Sequence, residues 1–168
     1  NRRTVWSINT EPYSGAHFAV FPPELVRLCV LGGSKPGSVV LDPFTNESSW
    51  VLKPAARILE AFRGADVRVN LVLTCSAEEA TQFLGPLADQ FLVFCDPERT
   101  FVRGLGVQAL PAFVFVRGDG SVQAAAEGWN PVEWRQVAKS IADNTSWIAP
   151  TIPGPGDPSP FHGTPALG

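Results

Sequence analysis

The chain has little sulfur and little histidine. Its 168 residues hold three cysteines, Cys29, Cys75 and Cys95, and two histidines, His17 and His162. An odd number of widely spaced cysteines, with no C-x-x-C pair, argues against a disulfide framework and against a zinc site, so no metal is expected. The two histidines are too far apart in sequence to suggest an acid–base or metal-binding pair. No apolar run approaches the roughly 18 residues of a membrane-spanning helix. The opening stretch NRRTVWSINTEPY has no apolar core of the signal-peptide kind, and the missing initial methionine suggests a trimmed or incomplete start. Charge of either sign is modest. Thirteen Lys and Arg against sixteen Asp and Glu leave −3, with a pI near 5.3, which gives no electrostatic footprint for nucleic acid or a membrane surface. A reducing cytoplasm is the expected setting, and a protein or peptide is the partner left open. Nothing in the composition fixes an oligomeric state.

What is present is ordinary globular material: 45% apolar and 17% charged residues, enough for one main domain. PPELVRLCVLGG places Leu25, Leu28 and Cys29 at helical spacing before a Gly-Gly stop, and there Cys29 reads as core. SVVLDPF reads as a short buried strand ended by Asp42-Pro43. From Lys53, Ala55, Ile58, Leu59 and Phe62 share a helical face that stops at Gly64. VRVNLVLTC alternates through Arg68 and Asn70 and then turns fully apolar, as a central strand does. Ser76, three residues before Glu79, predicts a capping box at the head of a second helix. FLVFCD reads as a strand, and Asp96-Pro97 as the cap and first position of a short helix. Residues 110–129 read as a hairpin turning at Gly118-Asp119-Gly120. Asn130 and Pro131 open a last helix with Val132, Trp134, Val137 and Ile141 as its stripe. Trp50, Trp129, Trp134 and Trp147 read as packing anchors or, alternatively, as a binding surface. After Trp147 the Pro- and Gly-rich run IAPTIPGPGDPSPFHGTPALG has no periodicity and reads as an extended or disordered tail, with Ile148, Ile152 and Phe161 able to dock.

Residues 4–44, TVWSINTEPYSGAHFAVFPPELVRLCVLGGSKPGSVVLDPF, resemble the C-terminal part of amino-group DNA methyltransferases that modify adenine N6 or cytosine N4. The resemblance implies an S-adenosylmethionine pocket lined by GAHFAVFP and the strand ending in DPF, with Phe18, Asp42, Pro43 and Phe44 at the matching cofactor positions. The chain departs from that family after DPF. TNESSW stands where a small glycine-rich turn belongs, and no Asp-Pro-Pro-Tyr-type element occurs anywhere. On that departure the segment is expected to serve as packing, with no cofactor of its own.

From about residue 45 to 147 the chain resembles thioredoxin-fold proteins, in the layout of thiol-disulfide oxidoreductases and peroxiredoxins that carry an extra strand-helix unit. The residues that carry the likeness are CDPERTFVRGLGVQALPAFVFVRGDGSV. The resemblance puts Pro111 at the family's cis-proline position, so that Leu110 and Pro111 would edge a substrate groove. Counting back from Pro54, which matches the family's helix proline, the two cysteine positions of the redox motif fall on Asn46 and Ser49. Neither can supply a thiolate. Cys75, between a strand end and a capped helix, is the remaining candidate for monothiol chemistry, with Glu78 where a resolving cysteine would stand.

The expected architecture is therefore α/β: a thioredoxin-like mixed sheet flanked by helices over 39–147, a methyltransferase-like segment over 1–38, and a Pro/Gly-rich tail over 148–168. The expected function is binding or scaffolding without a redox dithiol. Two alternatives stand beside it: a thiol-dependent oxidoreductase using Cys75, and a fragment of an S-adenosylmethionine-dependent DNA methyltransferase fused to the domain. Both families place a strand, a turn and a helix at VVLDPFTNESSW. The strand of one is thus expected to serve as the first strand of the other, with Val39 to Leu41 inside the sheet.

Overall fold

The computed structural model describes residues 36–167; Phe18, His17, Cys29 and the helix read over PPELVRLCVLGG lie outside them. In chain order the elements are β1 (Pro36–Leu41), α1 (Asn46–Ala61), β2 (Arg68–Leu73), α2 (Ala77–Leu84) running into a 3-10 turn (Gly85–Asp89), and β3 (Leu92–Cys95). Then follow α3 (Thr100–Leu105), β4 (Ala109–Leu110), β5 (Ala112–Val116), β6 (Val122–Glu127), α4 (Pro131–Thr145) and β7 (Thr164–Pro165). Five strands form one sheet in the order β3-β2-β1-β5-β6, and β4 and β7 form a separate pair. β1 runs parallel to β2, and β2 parallel to β3, while β5 is antiparallel to both β1 and β6.

Val39 to Leu41 therefore sit in the middle of the sheet. Val39 faces Leu71 on one side and Phe113 on the other. A strand alternates its side chains between faces, and both faces here are covered, which is why its sequence is unbroken apolar. Val39 and Leu41 join Leu71, Leu73, Phe113 and Phe115 under α1 and α4, while Val40 joins Val72, Ala112 and Val114 beneath α3. Asn70 belongs to the same buried middle, as a residue of a central strand.

The helices begin where local chemistry lets them, and in two places this differs from the sequence expectation. α1 starts at Asn46, seven residues before Lys53, because Thr45 caps it by accepting the Ser48 N–H at 3.4 Å. Its buried Val51, Ala55, Ile58 and Leu59 then follow one face, with Pro54 inside the helix. α3 starts at Thr100, because Pro97 sits in a turn closed by Arg99 N–H donating to the Asp96 carbonyl at 3.0 Å. Asp96 still caps, but from a distance: its carboxylate accepts the N–H groups of Thr100 and Val102, both at 2.9 Å. The capping box of Ser76 and Glu79 and the Asn130 cap are present as read. On α4 the buried stripe is Pro131, Trp134, Val137, Ala138, Ile141 and Ala142; Val132 is exposed.

The Pro/Gly-rich segment does not stand off as a disordered tail. It runs back across the domain, held largely by its main chain. Arg57 donates to the Thr151 carbonyl at 2.8 Å and pairs with Asp157 at 2.7 Å, Arg135 donates to the Ile152 carbonyl at 2.8 Å, and the Trp129 indole donates to the Pro158 carbonyl at 2.9 Å. Ile152 and Ala166 are buried, Phe161 is half-buried, and Ile148 remains exposed. Trp129 and Trp134 pack together in the core, 4.8 Å between ring centroids. Trp50 and Trp147 are exposed, Trp50 against the edge of Phe161.

Candidate functional site

The carboxyl ends of the parallel strands β1, β2 and β3 open together, and α/β sheets take their ligands at such an end. Because Val40 faces Ala112 across the β1–β5 ladder, Pro111 stands level with Leu41 at that same end. Three groups of sequence candidates meet there: the turn after β1, the cysteines closing β2 and β3, and the segment entering β5.

The turn after β1 is saturated with its own hydrogen bonds. Asp42 is buried, 5% exposed. One carboxylate oxygen accepts the Phe44 N–H at 3.0 Å, and the other accepts from the Arg99 guanidinium at 2.8 Å. The Asp42 N–H donates to Ser48 Oγ at 2.9 Å, and the Thr45 hydroxyl donates to the Asp42 carbonyl at 3.0 Å. Phe44 points away from this network and is 68% exposed. The residues 42–44 that the methyltransferase resemblance assigns to a cofactor are thus committed to turning the chain into α1. Each Asp42 carboxylate oxygen already has one partner, and side-chain bonds close the turn. Asn46 and Ser49 lie exposed in the first turn of α1.

Cys75 follows β2, and the structure gives it the opposite of activation. It is 2% exposed. Burial, then the nearby Cys95, Glu79 and Asp42, push its thiol up to about 11. Its Sγ donates to the Ser76 carbonyl at 3.3 Å. A thiol with so raised a pKa is held protonated at neutral pH. Cys95, at the end of β3, is exposed, and partial desolvation shifts its thiol upward too. Both cysteines are free.

The segment entering β5 is a site made of main chain. The Leu110–Pro111 peptide bond is cis. β4, immediately before it, pairs antiparallel with β7: Ala109 with Pro165, and Leu110 with Thr164. The Ala166 N–H donates to the Gln108 carbonyl at 2.8 Å, and the Thr164 hydroxyl reaches the Leu110 carbonyl at 3.4 Å. The Glu127 carboxylate takes the N–H groups of Gln108 and Ala109, each at 3.1 Å. Arg99, paired with Asp42 through one nitrogen, donates its other to the Ala166 carbonyl at 2.6 Å. It therefore joins the turn after β1 to the strand laid on β4. Arg99 and Glu127 carry no local sequence signal: an arginine in a turn and a glutamate at a hairpin end look like surface charge. Among the described residues no group of three or more His, Cys, Asp or Glu could hold a metal ion, and no helix is long and apolar enough to cross a membrane.

Comparison with known proteins separates the two resemblances. No protein-family model matches the chain. Over 44 residues it is 75% identical to the type II methyltransferase M.SmaI of Serratia marcescens and 66% identical to M.Cfr9I of Citrobacter freundii. These matches cover 26% of this chain but only 15% of either methyltransferase. The similar solved structures are of the other kind. A protein assigned as the thiol:disulfide interchange protein DsbE of Chlorobium tepidum superposes with a TM-score of 0.58 at 18% identity, covering 69% of this chain and 83% of that one. The exposed lipoprotein thioredoxin Etrx1 of Streptococcus pneumoniae gives 0.54 at 19% identity, covering 67% and 89%. The fold is thioredoxin-like, and a short methyltransferase-like segment leads into it.

Proposed function

We propose that this domain binds an extended protein segment by main-chain pairing along Gln108–Leu110, beside Pro111, and performs no dithiol chemistry. The pairing of β4 with β7 carries the reading: the edge already holds an extended strand in antiparallel register, and strand addition of that kind is a recurrent mode of peptide recognition. The thioredoxin-like resemblance implies a pair of cysteines for dithiol chemistry, and counting back from Pro54 puts Asn46 and Ser49 at those two positions. A cytoplasmic setting is consistent with thiols that stay free. Insulin reduction followed by turbidity, together with amide shifts at Gln108 to Leu110 on adding extended peptides, tests the proposal. Turbidity no faster than the buffer thiol alone is expected, and a rate well above it overturns the redox-inactive part. A titration of Cys75 that finds its pKa near 11 removes the monothiol alternative as well.

A second reading rests on the 44-residue identity to the methyltransferases and makes the chain an S-adenosylmethionine-binding piece of such an enzyme. Calorimetry with S-adenosylmethionine separates the two. Binding tighter than about millimolar supports the second reading, and none is expected from a turn whose polar groups are already paired.

A further inference from the structure

The edge proposed above to bind peptides is occupied in this structure by the chain itself, and the occupant is fitted to it residue by residue. The segment 161–166, which includes β7, lies against two main-chain edges. On one side it pairs with Ala109 and Leu110; on the other, Trp129 and Phe161 exchange both N–H···O bonds at 3.0 Å. The gap between those edges admits little. A Cβ on Gly163 would overlap the Leu110 carbonyl oxygen, and one on Gly128 would come within 2.7 Å of both the Gly163 nitrogen and the Phe161 oxygen. Three residues on, Ala166 is fully buried in the cluster of Val102, Val107 and Leu110, and its carbonyl is held by Arg99. Glycine and alanine thus stand at the two places where the site has least room.

We infer that residues 161–166 are a resident occupant of the peptide site, so that the edge opens to a partner only when this strand lifts. Resting on the peptide-binding reading, the inference also names the ligand. The site takes an extended segment with glycine against the Leu110 carbonyl and a small apolar residue three positions later, as in Gly163-Thr164-Pro165-Ala166. Because resident and incoming strands compete for the same main-chain donors and acceptors, the chain regulates its own site by occupancy.

The test uses the full chain, its Gly163→Val and Ala166→Glu variants, and a fluorescein-labelled peptide PFHGTPALG, which copies residues 160–168. Gly163→Val places a branched side chain against the Leu110 carbonyl, and Ala166→Glu puts a charge into a closed apolar site. The two changes disturb different contacts, so the second keeps the test open if the first proves too disruptive. Fast hydrogen exchange at residue 166, with an unchanged near-ultraviolet spectrum from the buried tryptophans, reports a lifted strand on an intact domain. The lifted variants are expected to bind the peptide about tenfold or more tightly than the parent. Replacing the peptide's glycine that copies Gly163 with valine is expected to abolish that binding. Equal binding by parent and variants overturns the resident-strand inference and leaves the peptide-binding reading standing. So does a lifted variant that binds unrelated extended peptides and refuses this one. A residue 166 amide that stays protected in both variants overturns the assigned contacts. Lifted, folded variants that bind no extended peptide at all bring down both the inference and the reading beneath it.

Discussion

Two turns meet at the carboxyl end of the sheet and use their polar groups in opposite ways. From Asp42 to Ser48 the bonding is done largely by side chains: the Thr45 and Ser48 hydroxyls bond each other and the Asp42 main chain, and the Asp42 carboxylate takes the Phe44 N–H. From Gln108 to Leu110 the main chain itself pairs with β7 along one edge, while the Glu127 carboxylate takes the Gln108 and Ala109 N–H groups. Dithiol reactivity at the first turn would need a thiol at each of two positions, which the resemblance puts at Asn46 and Ser49. Pairing at the second needs only backbone and room, and the sequence enters through the sizes of Gly163 and Ala166.

If that contrast is right, replacing side chains alone gives the first turn its chemistry. Asn46→Cys with Ser49→Cys puts two thiols three residues apart on one helical turn, a spacing at which a disulfide closes without backbone movement. Their position at a helix N-terminus favours the thiolate. The expected outcome is the largest of those proposed here, insulin reduction where the parent gives none. Two thiols that never close to a disulfide would show that the turn is misplaced as well as unreactive.

Asp42→Ala strikes where the two turns are tied together. It strands Arg99, which also holds Ala166, and is expected to cost about 3 kcal/mol in urea unfolding. A cycle with Arg99→Ala measures the coupling, and additive losses would separate the turns energetically.

Alkaline pH probes Cys75, which lies between them. Its folded pKa near 11 exceeds the free thiol's value of about 8.5, so the folded state favours the proton. The resulting stability is complete below about pH 8.5 and is lost as pH rises through 11, a fall of about 3 kcal/mol. Unfolding curves from pH 7.5 upward check this, and Cys75→Ala is expected to flatten the slope. Smallest is Thr45→Ala, which removes the α1 cap for about 1 kcal/mol and is expected to leave peptide binding at the second turn unchanged.

The sequence made legible whatever depends on near neighbours. Val39 to Leu41 read as buried because apolar residues fill both faces, and Ser76 and Asn130 read as caps because their partners are two or three residues away. Asn46 to Ser49 did not read as helix. Their intrinsic preference is weak, and the first turn is set by Thr45 and Asp42 together with a tertiary face that starts at Val51. The tail was opaque for a different reason. Its anchors are carbonyl oxygens, which every residue carries, bound by arginines such as Arg57, 94 residues away. At the candidate site, Pro111 and the place of Cys75 were readable, whereas the burial of Cys75 and the bridge through Arg99 were properties of the assembled fold.

The direction of β1 has a bearing on how this domain is attached to anything else. Its carboxyl end opens into the two turns, so Pro36 marks the opposite margin of the sheet. Five rises of about 3.3 Å put that point of attachment some 17 Å from Leu41. A segment joined ahead of Pro36 therefore enters the sheet at the margin opposite the two turns.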